Sequence, residues 1–341
     1  MKRAGIILLA AALALAGLAG YAAEVKRPPQ GVKPEAPRVR TQPAQGSGAA
    51  LPGRASWTPQ ATHETIHFTI LMDFADAEYA GKLQWDLEKY FSELQKEFWD
   101  YIPPAHRESH ITMAVFDKQA AFDAYAAQDA GTPPGEKGYS SRDTGRVGFL
   151  RQDAYRKDTM IFVHEMAHVF NRFCCPATPL WLDEGLAQYY AYYAAEEAGD
   201  PDIADGVSSY ALSVLDGALR NETFLRMGDV MDLTDDAFYS KTSKVNYAES
   251  WALVYYLRRG LANDGDKRFG EYYGIIARGE GQVEAFTTVY GSNLSFMNDM
   301  WLSYLKWLYD RNVRTAPAGA KADAGKTSPA RGAGAKNAQR R

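Results

Sequence analysis

Cysteine is nearly absent from this 341-residue chain: there are two, and they are adjacent, Cys174 and Cys175. That excludes a disulfide-stapled scaffold and a cysteine-ligated zinc ribbon. The neighbours could form a strained vicinal disulfide or stay as thiols. No apolar run long enough to span a bilayer occurs after residue 19. No cysteine follows Leu18-Ala19-Gly20, which closes the lipoprotein route. No basic patch interleaved with aromatics lies inside the central region, so nothing points to nucleic acid. No internal repeat is visible.

The ends of the chain read as non-globular. Lys2-Arg3 precede an apolar stretch from Ala4 to Ala19, and Gly20-Tyr21-Ala22 supplies small residues where a signal peptidase reads. Residues 1–22 are therefore expected to be a signal peptide cleaved near Ala22, and the protein exported to the periplasm or outside the cell; an uncleaved anchor is the alternative. Residues 23–60, rich in Pro, Gly, Ala and Gln, read as a disordered spacer. From Arg314 to Arg341 the only acid among many Lys and Arg is Asp323, in a chain whose net charge is −4. This basic tail could touch an anionic surface weakly, or be a solvated tail with no partner.

Between these ends lies one domain, 61–313. Its first part alternates strand and helix: strand 63–74, amphipathic helix 77–99, strand 111–116, short helix 118–128. From 158 onwards the pattern is almost wholly helical, through 180–198, 206–220, 246–260, 267–277 and 294–311. The expected fold is α+β, with a sheet lobe 61–157 and a helical lobe 158–313.

His164-Glu165-Met166-Ala167-His168 sits in an otherwise apolar stretch, Thr159 to Phe170. Asp158 or Thr159 can cap the start of this helix and Cys174-Cys175-Pro176 ends it. On a helix, residues four apart share a face, so both imidazoles can reach one metal ion. Thr178 as N-cap and Pro179 as first helical residue open the next helix, which carries Glu184 as a third ligand. Asp183, a rival ligand, points about 100° away around that helix. Gln188, one turn after Glu184, could orient a histidine from behind. Two His, one carboxylate and an open fourth position are the ligand set of a catalytic zinc site.

The same five-letter pattern recurs as His63-Glu64-Thr65-Ile66-His67, but it runs into the strand-like Phe68-Thr69-Ile70-Leu71-Met72. In a strand, residues four apart are separated by about 13 Å, too far to share an ion. This copy is not expected to bind metal.

The pair formed by His164–His168 and Trp181-Leu182-Asp183-Glu184-Gly185-Leu186-Ala187 resembles the gluzincin branch of zinc peptidases (MA clan, HExxH with a distant Glu), and more closely the bacterial peptidase MA-like family. The resemblance covers about 60–312 and is sharpest at 158–190. It implies a zincin-like fold, a small mixed sheet lobe packed on a mainly helical C-terminal lobe. It also implies zinc held by His164, His168 and Glu184, and Glu165 as general base towards a metal-activated water. A substrate-binding edge strand before the active helix is implied too, for which 146–150 is the expected segment, pairing with peptide or protein substrate. Asn246-Tyr247-Ala248-Glu249-Ser250-Trp251 resembles the next helix of these proteins, making Tyr247 the expected oxyanion donor. No Gly-x-Met-Glu-Asn segment is present, which argues against a standard aminopeptidase. The reading is an exported zinc metallopeptidase. Two alternatives are a metal-binding scaffold without turnover and a zinc hydrolase of a non-protein amide such as a peptidoglycan cross-link.

Overall fold

A computed structural model of the protein describes residues 57–261 and 264–314. The expected signal peptide, almost all of the spacer and the basic tail beyond Arg314 lie outside the described residues.

The sheet has five strands. β1 (Ala61–Glu64) and β2 (Phe68–Met72) form an antiparallel hairpin, and β3 (Ile111–Phe116), β4 (Gly138–Ser140) and β5 (Val147–Leu150) complete the order β1-β2-β3-β5-β4. β2, β3 and β5 run parallel; β4 pairs antiparallel with β5 and forms an edge. The parallel β2–β3 step is crossed by helix α1 (Ala77–Glu97), whose Asp76 accepts from the Tyr79 amide as N-cap. Side chains alternate across the sheet. Met113 and Val115 face α1, meeting Leu83, Leu87 and Phe91 in the main core, whereas Ala114 and Phe116 face Phe122 and Tyr125 of α2 (Gln119–Ala130).

Two expectations for the sheet do not hold. The expected strand 63–74 is two strands, because Thr65 Oγ1 and the Phe68 backbone bond each other and close a tight turn at 65–67. The expected edge segment 146–150 is not an edge. β5 is flanked by β3 and β4 along its length, so its main-chain groups are already paired. Arg146 at its start is spent on Asp129, 3.0 Å away.

The β4–β5 hairpin is held by that Asp129, at the end of α2. Its Oδ2 accepts from the hydroxyls of Tyr139 (3.0 Å) and Thr144 (3.2 Å), and its Oδ1 from Arg146. Arg146 and Asp129 are both buried, so the pair organises the edge strand from a low-dielectric position.

Helix α3 (Tyr155–Cys174) crosses behind the sheet and buries Phe162, Val163, Met166, Val169 and Phe170 in the main core. Each such side chain contributes about 1.5–3 kcal/mol by burial. The helix begins before Asp158, which does not cap it. Asp158 is buried and accepts from Tyr79 OH (2.9 Å) and the Gln152 amide (2.6 Å). The next helix, α4 (Leu180–Glu197), has Pro179 itself at the N-cap, and Thr178 donates instead to the Cys175 carbonyl. Beyond it come a two-stranded ribbon (β6, Ile203–Ala204; β7, Val207–Ser208) and α5 (Ser209–Arg220). They are followed by the short α6 (Met227–Met231) and α7 (Asp235–Phe238), then α8 (Ser243–Tyr255), α9 (Gly265–Ala277), α10 (Gln282–Tyr290) and α11 (Leu294–Tyr309). Gly185 makes the α4–α8 contact possible: a Cβ there would lie 2.6 Å from the Ser250 carbonyl oxygen. Among the described residues no helix is long and apolar enough to cross a membrane.

Candidate metal centre

The core stripe of α3 leaves a second stripe, Ile161, His164, Glu165, His168 and Arg172, facing β4 and α4. The short 175–179 connection turns the chain back so that Glu184 meets this stripe. His164 Nε2 and His168 Nε2 are 3.1 Å apart, and Glu184 Oε2 lies 3.4 Å from the first and 3.5 Å from the second. Ligand atoms bonded tetrahedrally to zinc at about 2.0–2.1 Å would be about 3.3–3.4 Å apart. The three atoms already occupy three corners of such a site. Glu184 Oε2 is buried with no hydrogen-bond partner, an expensive arrangement for a carboxylate oxygen unless an ion meets it. Among the described residues His164, His168 and Glu184 are the only cluster of this kind. The residues therefore fit a zinc ion.

The pattern at 63–67 does not assemble. His63 is on β1, opposite Ile70, while His67 lies in the turn with Nδ1 on Glu88 Oε2 at 2.7 Å. Cys174 and Cys175 are free, buried thiols outside the metal cluster, and burial pushes the Cys174 thiol up to about 12.

Asp183 has a role that its spacing does not announce. Its Oδ2 lies 3.0 Å from His168 Nδ1, while its neighbour Glu184 faces Nε2 of the same ring. Consecutive carboxylates thus bracket one imidazole. Asp183 Oδ1 accepts from Asn171 Nδ2 (2.8 Å), and Asn171 Oδ1 accepts from Tyr273 OH (3.2 Å). Asp183 can only accept, so in a neutral imidazole this 3.0 Å contact favours the proton on Nδ1 and leaves the Nε2 lone pair for an ion. Gln188 does not fill this position; it lies against Tyr192 on its own helix.

The charges respond to burial. Burial opposes the charged form of His168, but Asp183 and Glu184 outweigh it and hold its pKa well above the usual value. Burial would likewise raise Glu184, yet His168 and His164 hold it far below the carboxylate range. Glu165 goes the other way. Burial pushes it up, with Glu184 adding to the rise, while the two histidines and the Ser140 hydroxyl restrain it. A raised carboxylate is what a general base near neutral pH requires. Gly138 on β4 lets the edge strand touch this base: a Cβ there would come within 2.8 Å of Glu165 Oε1.

Tyr247 reaches the rim. Its ring centre is 6.5 Å from that of His164 and 5.1 Å, edge-on, from that of Phe238. Burial and the carboxylates of Glu184, Glu165 and Glu136 keep its phenol protonated and able to donate. A second tyrosine, Tyr239, was not signalled by the sequence. It follows α7 in a turn, is 53% exposed, and donates to Glu184 Oε1 at 2.8 Å. No periodicity marks such a loop residue. A cavity of about 750 Å³ between α1 and α4, lined by Tyr90, Tyr189, Tyr190 and Arg258 among others, contains none of these groups and is not the reaction centre.

Residues 139–307 match the family model of the Peptidase MA superfamily. They form a peptidase MA domain. The match starts within β4 and takes in α3, α4 and the later helices as far as Trp307 within α11, so the metal cluster lies inside it. The mixed sheet beside mainly helical structure is that of an α+β zincin-like fold, as the gluzincin resemblance implies. No curated protein matches the chain. The peptidase MA domain supports a metallopeptidase-like function.

Proposed function

We propose that the protein is an exported, zinc-dependent metallopeptidase that uses Glu165 as general base. The observation that carries this is the convergence of His164, His168 and Glu184 at zinc-ligand separations, one of the three atoms being a buried carboxylate oxygen with no hydrogen-bond partner. His164, His168 and Glu184 would hold the ion. When bound, zinc supplies Lewis acidity for the scissile carbonyl and lowers the pKa of water towards ~7. Glu165, raised by burial, takes a proton from the attacking water and returns it to the leaving amine. Tyr247 donates to the developing oxyanion. Extended substrate adds as a further strand on β4, an edge strand whose Gly138 packs against Glu165; this replaces 146–150 as the substrate strand.

Glu165→Gln tests the chemistry. Cleavage of a mixed peptide library should disappear while zinc content stays that of the unaltered protein. Full activity in the variant would refute Glu165 as base. Zinc in both proteins with cleavage by neither would instead favour a non-peptide amide substrate or a binding role.

A further inference from the structure

The two oxygens of Glu184 are used differently. Oε1 accepts from Tyr239 OH at 2.8 Å, whereas Oε2 faces both histidine Nε2 atoms and has no hydrogen-bond partner. A carboxylate free to turn could offer both oxygens to one ion, filling the position that a catalytic zinc site keeps open. A phenol hydroxyl bound to one oxygen makes that oxygen costly to redirect. Resting on the zinc reading above, we propose that Tyr239 is a positioning residue: it reserves Glu184 Oε1, so that Glu184 ligates through Oε2 alone and the reactive coordination position stays vacant for water or substrate.

The local structure is built to place this hydroxyl. Phe238, fully buried, plugs the end of α7 beside Tyr247. Asn246 Nδ2 donates to the carbonyls of Ala237 (3.1 Å) and Phe238 (2.8 Å), pinning the turn to α8. The backbone leading into Tyr239 is thus fixed, although its own ring is half exposed and contributes little to the core. Its replacement by phenylalanine removes one hydroxyl at the mouth of the site and leaves the anchoring residues in place.

The test is zinc X-ray absorption on the full chain and on Tyr239→Phe and Tyr247→Phe, with turnover measured alongside. Tyr239→Phe should keep its zinc, gain a ligand atom in the first shell and show a shorter zinc-to-carboxylate-carbon distance. Its kcat should fall about 10–100-fold, the usual effect of losing an outer partner of a ligand. Tyr247→Phe should lower kcat with the metal spectrum unchanged, because it acts on substrate. An identical spectrum in wild type and Tyr239→Phe would overturn the inference and leave the zinc reading standing. Loss of zinc from Tyr239→Phe would also overturn it, making the tyrosine a general prop. Absence of zinc from wild type would overturn both.

Discussion

Replacing Asp183 by asparagine should damage the metal site more than deleting the side chain does. In the native relay Tyr273 fixes the amide of Asn171, Asn171 donates to Asp183 Oδ1, and Asp183 Oδ2 faces His168 Nδ1 at 3.0 Å. Asparagine at 183 must keep its oxygen towards Asn171 Nδ2, so its amide NH₂ turns towards His168. The imidazole then places its proton on Nε2, the atom that has to bind the ion. Restoring the useful tautomer means breaking a buried hydrogen bond to a formerly charged partner, about 1.5–3 kcal/mol. At about 1.4 kcal/mol per decade, zinc affinity should fall roughly 10- to 100-fold for Asp183→Asn. Asp183→Ala, which imposes no wrong tautomer, should sit near the lower end of that range. Competition against a fluorescent chelator at neutral pH reads both. Affinities of the two variants within twofold of wild type, or a larger loss in alanine than in asparagine, would refute the relay.

Other expectations concern the frame around the site. Asp129→Ala leaves Arg146 buried and unpaired, and should cost about 3–5 kcal/mol in chemical denaturation. Gly185→Ala drives a Cβ to 2.6 Å from Ser250 O and 2.8 Å from Val254 Cγ2; denaturation should show a loss of about 1–3 kcal/mol. Glu249, fully buried with one oxygen on the Leu225 amide, is pushed up to about 8, first by burial, from an ordinary 4.5. Between those values the native state keeps a proton that the unfolded chain has released, so stability should fall as pH rises through this window. Melting temperatures of Glu249→Gln, which keeps the Leu225 bond without titrating, should decline less between pH 6 and 9; parallel curves would contradict the assignment.

What the sequence discloses depends on whether the determinant is local. His164, Glu165, His168 and Glu184 are readable because helical spacing and a short interhelix link are properties of neighbouring residues. The copy at 63–67 stays apart as expected but for another reason: a turn, not a continuous strand, separates the rings, and Glu88 holds His67. The true edge strand is not, since Gly138–Ser140 is three residues long and owes its position to Asp129 and Arg146, contacts made in three dimensions. The break at 65–67 contains no Gly, Pro or Asn; a threonine hydroxyl makes the turn. Asp183 was within reach of the sequence, by asking what the residue beside a ligand does to the same imidazole. Tyr239 could not, because it comes from a turn pinned by Asn246 and Phe238, and its partner is distant in sequence.

Zinc stoichiometry across a small set of variants tests the central claim most directly. Elemental analysis after dialysis should find a single zinc ion per chain in wild type and in His63→Ala, and essentially none in His168→Ala or Glu184→Ala. Zinc that survives in the Glu184 variant but leaves with His63, or a wild-type protein that takes up no zinc, would contradict the account.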